Sequence, residues 1–217
     1  MARENLIAYY GRRAEEYEQI YAKPERQADL SGVRAWLREA LAGHRILEAA
    51  CGTGYWTAET APGAEAIVAT DASSEVLALA RRKHYPAGRV SFVQADAYAL
   101  DRVPGNFTAG FAAFWWSHVP LERQSAFLLG LHQRLGAGAT VLFLDNRYVA
   151  GSSTPLSRRD AAGNTYQRRR LADGTEYEVL KNFPDRAELE AALLPRAASL
   201  RVTEFAYYWG ACYRVRE

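Results

Sequence analysis

Three acidic residues close successive strand-like runs: Glu48 in RILEAA, Asp71 in AIVATD and Asp96 in VSFVQAD. Glu48 leads into Ala50-Cys51-Gly52-Thr53-Gly54, where a backbone bare of side chains can pass close to a ligand. A dinucleotide fingerprint needs a third glycine three residues further on; Thr57 stands there, so pyrophosphate binding loses support. A carboxylate at Asp71 can accept both hydroxyls of a ribose, and Asp96 with Ala97 stands where an adenine ring would lie. Acid, glycine loop, acid, acid at strand ends describes an adenosyl ligand without phosphates. The plainer alternatives are helix capping by the two aspartates and a purely structural turn at Gly52.

Two further stretches carry reactive side chains. FWWSHVP, from Phe114 to Pro120, follows a fourth strand-like run; His118 could take a hydroxyl proton near neutral pH or be a structural histidine. Trp115 and Trp116 suit a pocket wall or core. In QRRRLADGTEYEVLKNF, two strand-like arms flank Asp173-Gly174. If the arms pair roughly in register, Arg169 and Lys181 share one face and can grip an oxyanion. A solvated hairpin that protects its edge, and a short nucleic-acid grip, are the alternatives. Asp145-Asn146 could begin a metal site, but FWWSHVP offers no second carboxylate, so no metal is expected.

These residues need a sheet to hold them. Strand-like runs at 45–50, 66–71, 90–96, 107–115 and 140–146 alternate with helical segments, which predicts a parallel sheet with helices on both faces. Two helices, about Arg3 to Tyr21 and Glu25 to Leu41, come first. After Asn146 a polar stretch and the hairpin form an insertion, residues 147–183, read as a lid. A helix, DRAELEAALL, and two strands joined through the Trp209-Gly210 region finish the chain. The whole reads as one α/β domain, 1–217, with an N-terminal helical cap over 1–42. Hydrophobic residues at 49% and charged residues at 24% are those of a soluble globular protein. A net charge of +2 and two cysteines exclude a general nucleic-acid binder and a disulfide framework, and no segment suits a membrane or a targeting signal. A cytoplasmic monomer or homodimer is expected.

ILEAACGTGYWT, IVATDAS and VQADAYAL resemble the first three signature blocks of class I S-adenosylmethionine-dependent methyltransferases, although glycines usual in the first block are replaced by Ala50 and Tyr55. The resemblance implies a Rossmann-like, mostly parallel sheet of seven strands in the order 3-2-1-4-5-7-6. It implies S-adenosyl-L-methionine as cofactor and S-adenosyl-L-homocysteine as product. Cofactor contacts would then fall on Tyr17, Glu48, Ala50, Gly52, Gly54, Trp56, Asp71, Ala72, Asp96, Ala97 and Phe114, with Arg13 in the covering helix. YYGRRAEEYE, GTGYWT, FWWSHVP and RRLADG are further similar to the phosphonate O-methyltransferase branch of dehydrophos biosynthesis. That similarity implies a small anionic acceptor held by Tyr21, Trp115, His118, Arg169 and Lys181, with His118 as the candidate catalytic base. A histidine of that branch is replaced by Phe114. N-methylation of a small amine, methylation of a phenol and a non-catalytic cofactor-binding protein remain alternatives.

Overall fold

The computed structural model describes residues 17–171 and 173–216, with Tyr17 described through its backbone alone. Up to residue 16 the expected first helix therefore lies outside the described residues, as do Arg13 and the side chain of Tyr17, while its expected last residues, 17–21, fall in a 3-10 turn. A 3-10 turn, Tyr17–Ala22, is followed by a second, Pro24–Arg26, and then by helix α1, Gln27–Leu41. Leu30, Val33, Leu37 and Leu41 recur every three or four positions, so one stripe of α1 is buried. Each such burial stabilises by roughly 1.5 to 3 kcal/mol relative to exposure. Gly43, at φ 71°, ends the helix in the left-handed conformation.

Five parallel strands follow: β1 (Arg45–Glu48), β2 (Ala66–Asp71), β3 (Val90–Gln94), β4 (Ala109–Ala113) and β5 (Thr140–Asn146). Between them lie α2 (Tyr55–Thr60), α3 (Ser74–Ala80, capped by Ser73) and α4 (Gln124–Leu135). Later come β6 (Arg158–Arg159), β7 (Thr165–Arg170), β8 (Glu176–Leu180), α5 (Arg186–Leu193), β9 (Ala197–Glu204) and β10 (Tyr208–Val215). The main sheet has the order β3-β2-β1-β4-β5-β10-β9, the expected Rossmann-like arrangement, with β10 antiparallel to both its neighbours. Val141 and Phe143 pack with α4 on one face, while Leu142 and Leu144 pack with α1 on the other. Both faces are covered, which is why β5 is apolar almost throughout.

Two local expectations change. The turn between the last strands falls at Phe205–Tyr207, not at Trp209-Gly210, which lies inside β10. Gly210 is there for packing: a Cβ on it would sit 2.6 Å from the indole of Trp36 on α1. The fourth strand also stops at Ala113, because Phe114 adopts φ 58° and breaks the ladder.

The insertion builds its own antiparallel sheet, β6-β7-β8. Its tight end is a three-residue loop in which Leu171 pairs with Thr175 and Gly174 takes φ 87°. That loop sets the register: Arg169 lies opposite Tyr177, and the backbone of Lys181 bonds to Thr165. Arg169 and Lys181 are thus not direct partners, though both belong to the face of the hairpin that also carries Gln167 and Val179.

Candidate active site

The carboxyl ends of β3, β2, β1 and β4 meet at the point where the chain order reverses, the usual ligand crevice of an open α/β sheet. Glu48 ends β1 fully buried, its carboxylate accepting the Thr57 hydroxyl at 2.7 Å; burial pushes its pKa up to about 8. Ala50 continues at φ 53° and Gly52 at φ 56°. Asp71, at the end of β2, accepts the Gly52 amide and the Ser73 amide, each at 2.9 Å. Its burial raises its pKa, opposed by those amides. Ala72 follows it half-buried, and Asp96 accepts the Tyr98 amide at 3.1 Å beside buried Ala97. The two glycines differ in environment. A Cβ on Gly52 would meet nothing within 4 Å, whereas one on Gly54 would sit 2.6 Å from the Tyr85 hydroxyl. Gly54 therefore lets the loop seat on α3, and Gly52 faces open space.

Beside this loop lies an aromatic cluster. Tyr21 stacks on Tyr55 at 4.0 Å and accepts the Trp56 indole N–H at 2.9 Å, while Trp56 stacks on Phe114 at 5.8 Å. Phe114, with its left-handed backbone, is the sort of strained residue that collects at working sites. Trp115 is half-buried against Tyr98, with centroids 6.0 Å apart.

The segment after β4 interlocks with the end of β8. His118 Nδ1 bonds the Leu180 carbonyl at 2.6 Å, Asn182 donates its amide to Ser117, and Lys181 Nζ donates to Ser117 Oγ at 2.5 Å and to Asp145 Oδ1 at 3.0 Å. Asp145 is 0% exposed and Lys181 3%. Burial lowers the Lys181 pKa, and the nearby charges of Arg169 and Arg26 lower it further while Asp145 opposes. Burial, then Lys181 and Arg169, hold His118 well below the ordinary imidazole value. The Nδ1 hydrogen is thus donated to Leu180 and the ring is neutral.

Next to this interlock is a cavity of about 320 Å³. Its basic lining residues are Lys23, Arg26, Arg168, Arg169, Arg170 and Lys181, and among the described residues no carboxylate lines it. Ile20 lines it too, so the 3-10 turn Tyr17–Ala22 touches both regions: its Glu18 accepts the Thr53 hydroxyl at 2.7 Å and pairs with Lys83.

A methyltransferase domain family matches residues 46–138. A demethylmenaquinone methyltransferase of Thermus thermophilus is 43% identical over 89 residues, a match spanning 36% of this chain and 40% of that protein. A solved DhpI–SAH complex superposes with a TM-score of 0.80 and 29% identity, covering 99% of this chain and 97% of the other. A DhpI–SAM–HEP complex gives the same TM-score and identity over 98% and 97%. Residues 46–138 thus form a methyltransferase domain, and the sheet order is the one expected of class I S-adenosylmethionine-dependent methyltransferases. The CcbJ methyltransferase of Streptomyces caelestis, at 19% identity and a TM-score of 0.63, shares the fold.

The residues of this crevice fit S-adenosylmethionine, the group present in the DhpI–SAM–HEP complex. Open space above left-handed Gly52 leaves room for a ligand against the backbone. The carboxylates of Asp71 and Asp96 stand at adjacent strand ends, as hydroxyl and amino donors require. Arg26 and Ser152 on the cavity wall carry no motif and were not singled out from sequence, and Asn146 drew notice only as part of a possible metal pair with Asp145. Arg26 looked like an ordinary helix-start residue, and only the packing of distant segments brings the three together.

Proposed function

We propose that this methyltransferase transfers the methyl group to an oxygen of a small anionic acceptor: a phosphonate, a phosphate or a carboxylate. The observation that carries this reading is the cavity with six basic residues and, among the described residues, no carboxylate on its wall, next to the turn that packs on the Gly52–Gly54 loop. Likeness to the DhpI–SAM–HEP complex over nearly the whole chain supports it.

When bound, the cofactor supplies an electrophilic methyl on its sulfonium and leaves as S-adenosylhomocysteine. Asp71 would hold the ribose, Asp96 and the Ala97 backbone the adenine, and Ala50, Gly52 and Gly54 the methionine end above Glu48. Ala72, Trp56, Phe114 and Tyr17 complete that wall. Tyr21 and Trp115 would bound the acceptor, with the insertion 147–183 forming its far side and the N-terminal segment its cap. Arg169 offers a planar fork to two oxygens, and Lys181 a point charge fixed by Asp145 and Ser117. An oxyanion so held needs no deprotonation. His118, neutral and tied to Leu180, serves this reading by positioning the end of β8, and alignment in a dry pocket supplies the catalysis.

The test is transfer of label from methyl-labelled cofactor to a panel of small phosphonates, phosphate monoesters, carboxylates, amines and phenols. Methyl esters of the acids are expected. Label confined to amines or phenols, or cofactor retained without transfer, would overturn the reading.

A further inference from the structure

Arg26 is the one arginine among the described residues that is buried, at 9% exposure. It has no carboxylate partner there. Its Nη2 donates to Ser152 Oγ at 2.9 Å, its Nη1 to Asn146 Oδ1 at 3.4 Å, and its Nε is buried without a partner. The rings of Tyr207 and Tyr208 lie 5.1 and 5.8 Å from the guanidinium carbon. The nearest acid along this chain of contacts is exposed Glu25, which accepts the Ser152 hydroxyl at 3.3 Å. A buried guanidinium without a paired anion is costly, and an anion brought by a ligand offsets that cost.

The cavity's other cations do not supply it. Lys181 and Arg169 enter from the hairpin, and Arg26 enters from the start of α1. Asp145 and Asn146 separate them: Lys181 bonds Asp145 Oδ1, Asn146 Nδ2 bonds the same oxygen at 3.3 Å, and Asn146 Oδ1 meets Arg26. These three of the cavity's six basic residues thus share a single buried carboxylate, Asp145, among the described residues. The cavity's 320 Å³ equals the volume of about ten liquid waters, more than one phosphonate or carboxylate group fills.

We infer that Arg26, with Ser152 and Asn146, forms a second anion subsite, and that the acceptor is a small diacid. One acidic group lies at Arg169 and Lys181 and is methylated; the other lies at Arg26. This rests on the anionic-acceptor reading and narrows it.

Calorimetry on protein saturated with S-adenosylhomocysteine tests it with methylphosphonate and phosphonoacetate, which differ by one carboxylate. The parent should bind phosphonoacetate roughly tenfold or more tighter, the low end for a charge-assisted hydrogen bond. Arg26→Gln should abolish that preference while keeping methylphosphonate affinity and S-adenosylhomocysteine affinity. Arg26→Lys, which keeps the charge and loses the fork, should retain part of the preference. A parent that binds methylphosphonate but shows no preference overturns this inference alone, as does an undiminished preference in Arg26→Gln. A parent that binds neither probe overturns the anionic reading as well.

Discussion

Replacing Asp145 by asparagine removes the one buried counter-charge that Lys181 has among the described residues while leaving the volume almost unchanged. The pair is 3.0 Å apart, with side chains 0% and 4% exposed, so solvent screens it little. Removing one partner of a buried pair costs about 3 to 5 kcal/mol, because the other charge is left uncompensated. For a domain of this size that is a fall of roughly 6 to 20 °C in Tm. The sign of the pH dependence follows from Lys181. Its folded pKa already lies below its ordinary value, and Asp145 is the group that opposes the shift. Loss of Asp145 lowers it further. A lysine depressed in the folded state binds fewer protons there than unfolded, so stability rises with pH between the two values. The deficit of Asp145→Asn should therefore be full at about pH 6 and shrink as pH rises through the lowered Lys181 pKa. Urea unfolding followed by tryptophan fluorescence at about pH 6, 7.5 and 9 reads this directly. Asp145→Asn/Lys181→Met, with neither charge, should recover most of the loss. A deficit under about 1 kcal/mol, or one that grows with pH, would refute the buried-pair argument.

Asp71→Ala should weaken S-adenosylhomocysteine binding by roughly 1.5 to 3 kcal/mol, as expected for charged hydrogen bonds, and unchanged affinity by calorimetry would remove Asp71 from the site. The parent's turnover on an ionised acceptor should be flat from about pH 6 to 8, because burial and two cations keep His118 neutral throughout. An inflection near pH 6.5 that disappears in His118→Asn would show base catalysis instead. Arg169→Ala should lower kcat/KM for the acceptor by roughly 1.5 to 3 kcal/mol with cofactor affinity kept. Arg168→Ala should cost less, because Arg168 borders the cavity with an exposed side chain on the other face of β7; equal losses would return the arginine run to a surface role.

The sheet was legible because its signals are local. A continuous apolar run such as Thr140–Asn146 has one good use, a strand covered on both faces, and acids at the ends of β1 and β2 then fall at one edge by topology. Misreadings arose where a residue answers to a distant neighbour. Gly210 has the composition of a turn, but its missing side chain accommodates Trp36, 174 positions earlier in the chain and invisible to any local pattern. Phe114 carries no mark of a left-handed residue; the conformation is imposed where its amide bonds Leu144 and its ring packs on Trp56.

The cationic cavity shows the same limit more sharply. The arginine run of β7 could be noticed as a run, and Lys181 as its counterpart across the turn, yet their register depended on whether the loop held two or three residues. Asp145 and Asn146 suggested half of a metal site from their position at a strand end, a reading set aside because FWWSHVP supplies no second carboxylate. In the fold Asp145 holds Lys181, and Asn146 joins it to Arg26, across separations of 36 and 120 residues. The pair therefore works as a spacer between cations, a role set by what the hairpin and the first helix bring to it. Arg26 stands in PER, a run that reads only as a helix start. Its charge becomes informative once burial removes water and no carboxylate takes its place, and both conditions are properties of the assembled cavity.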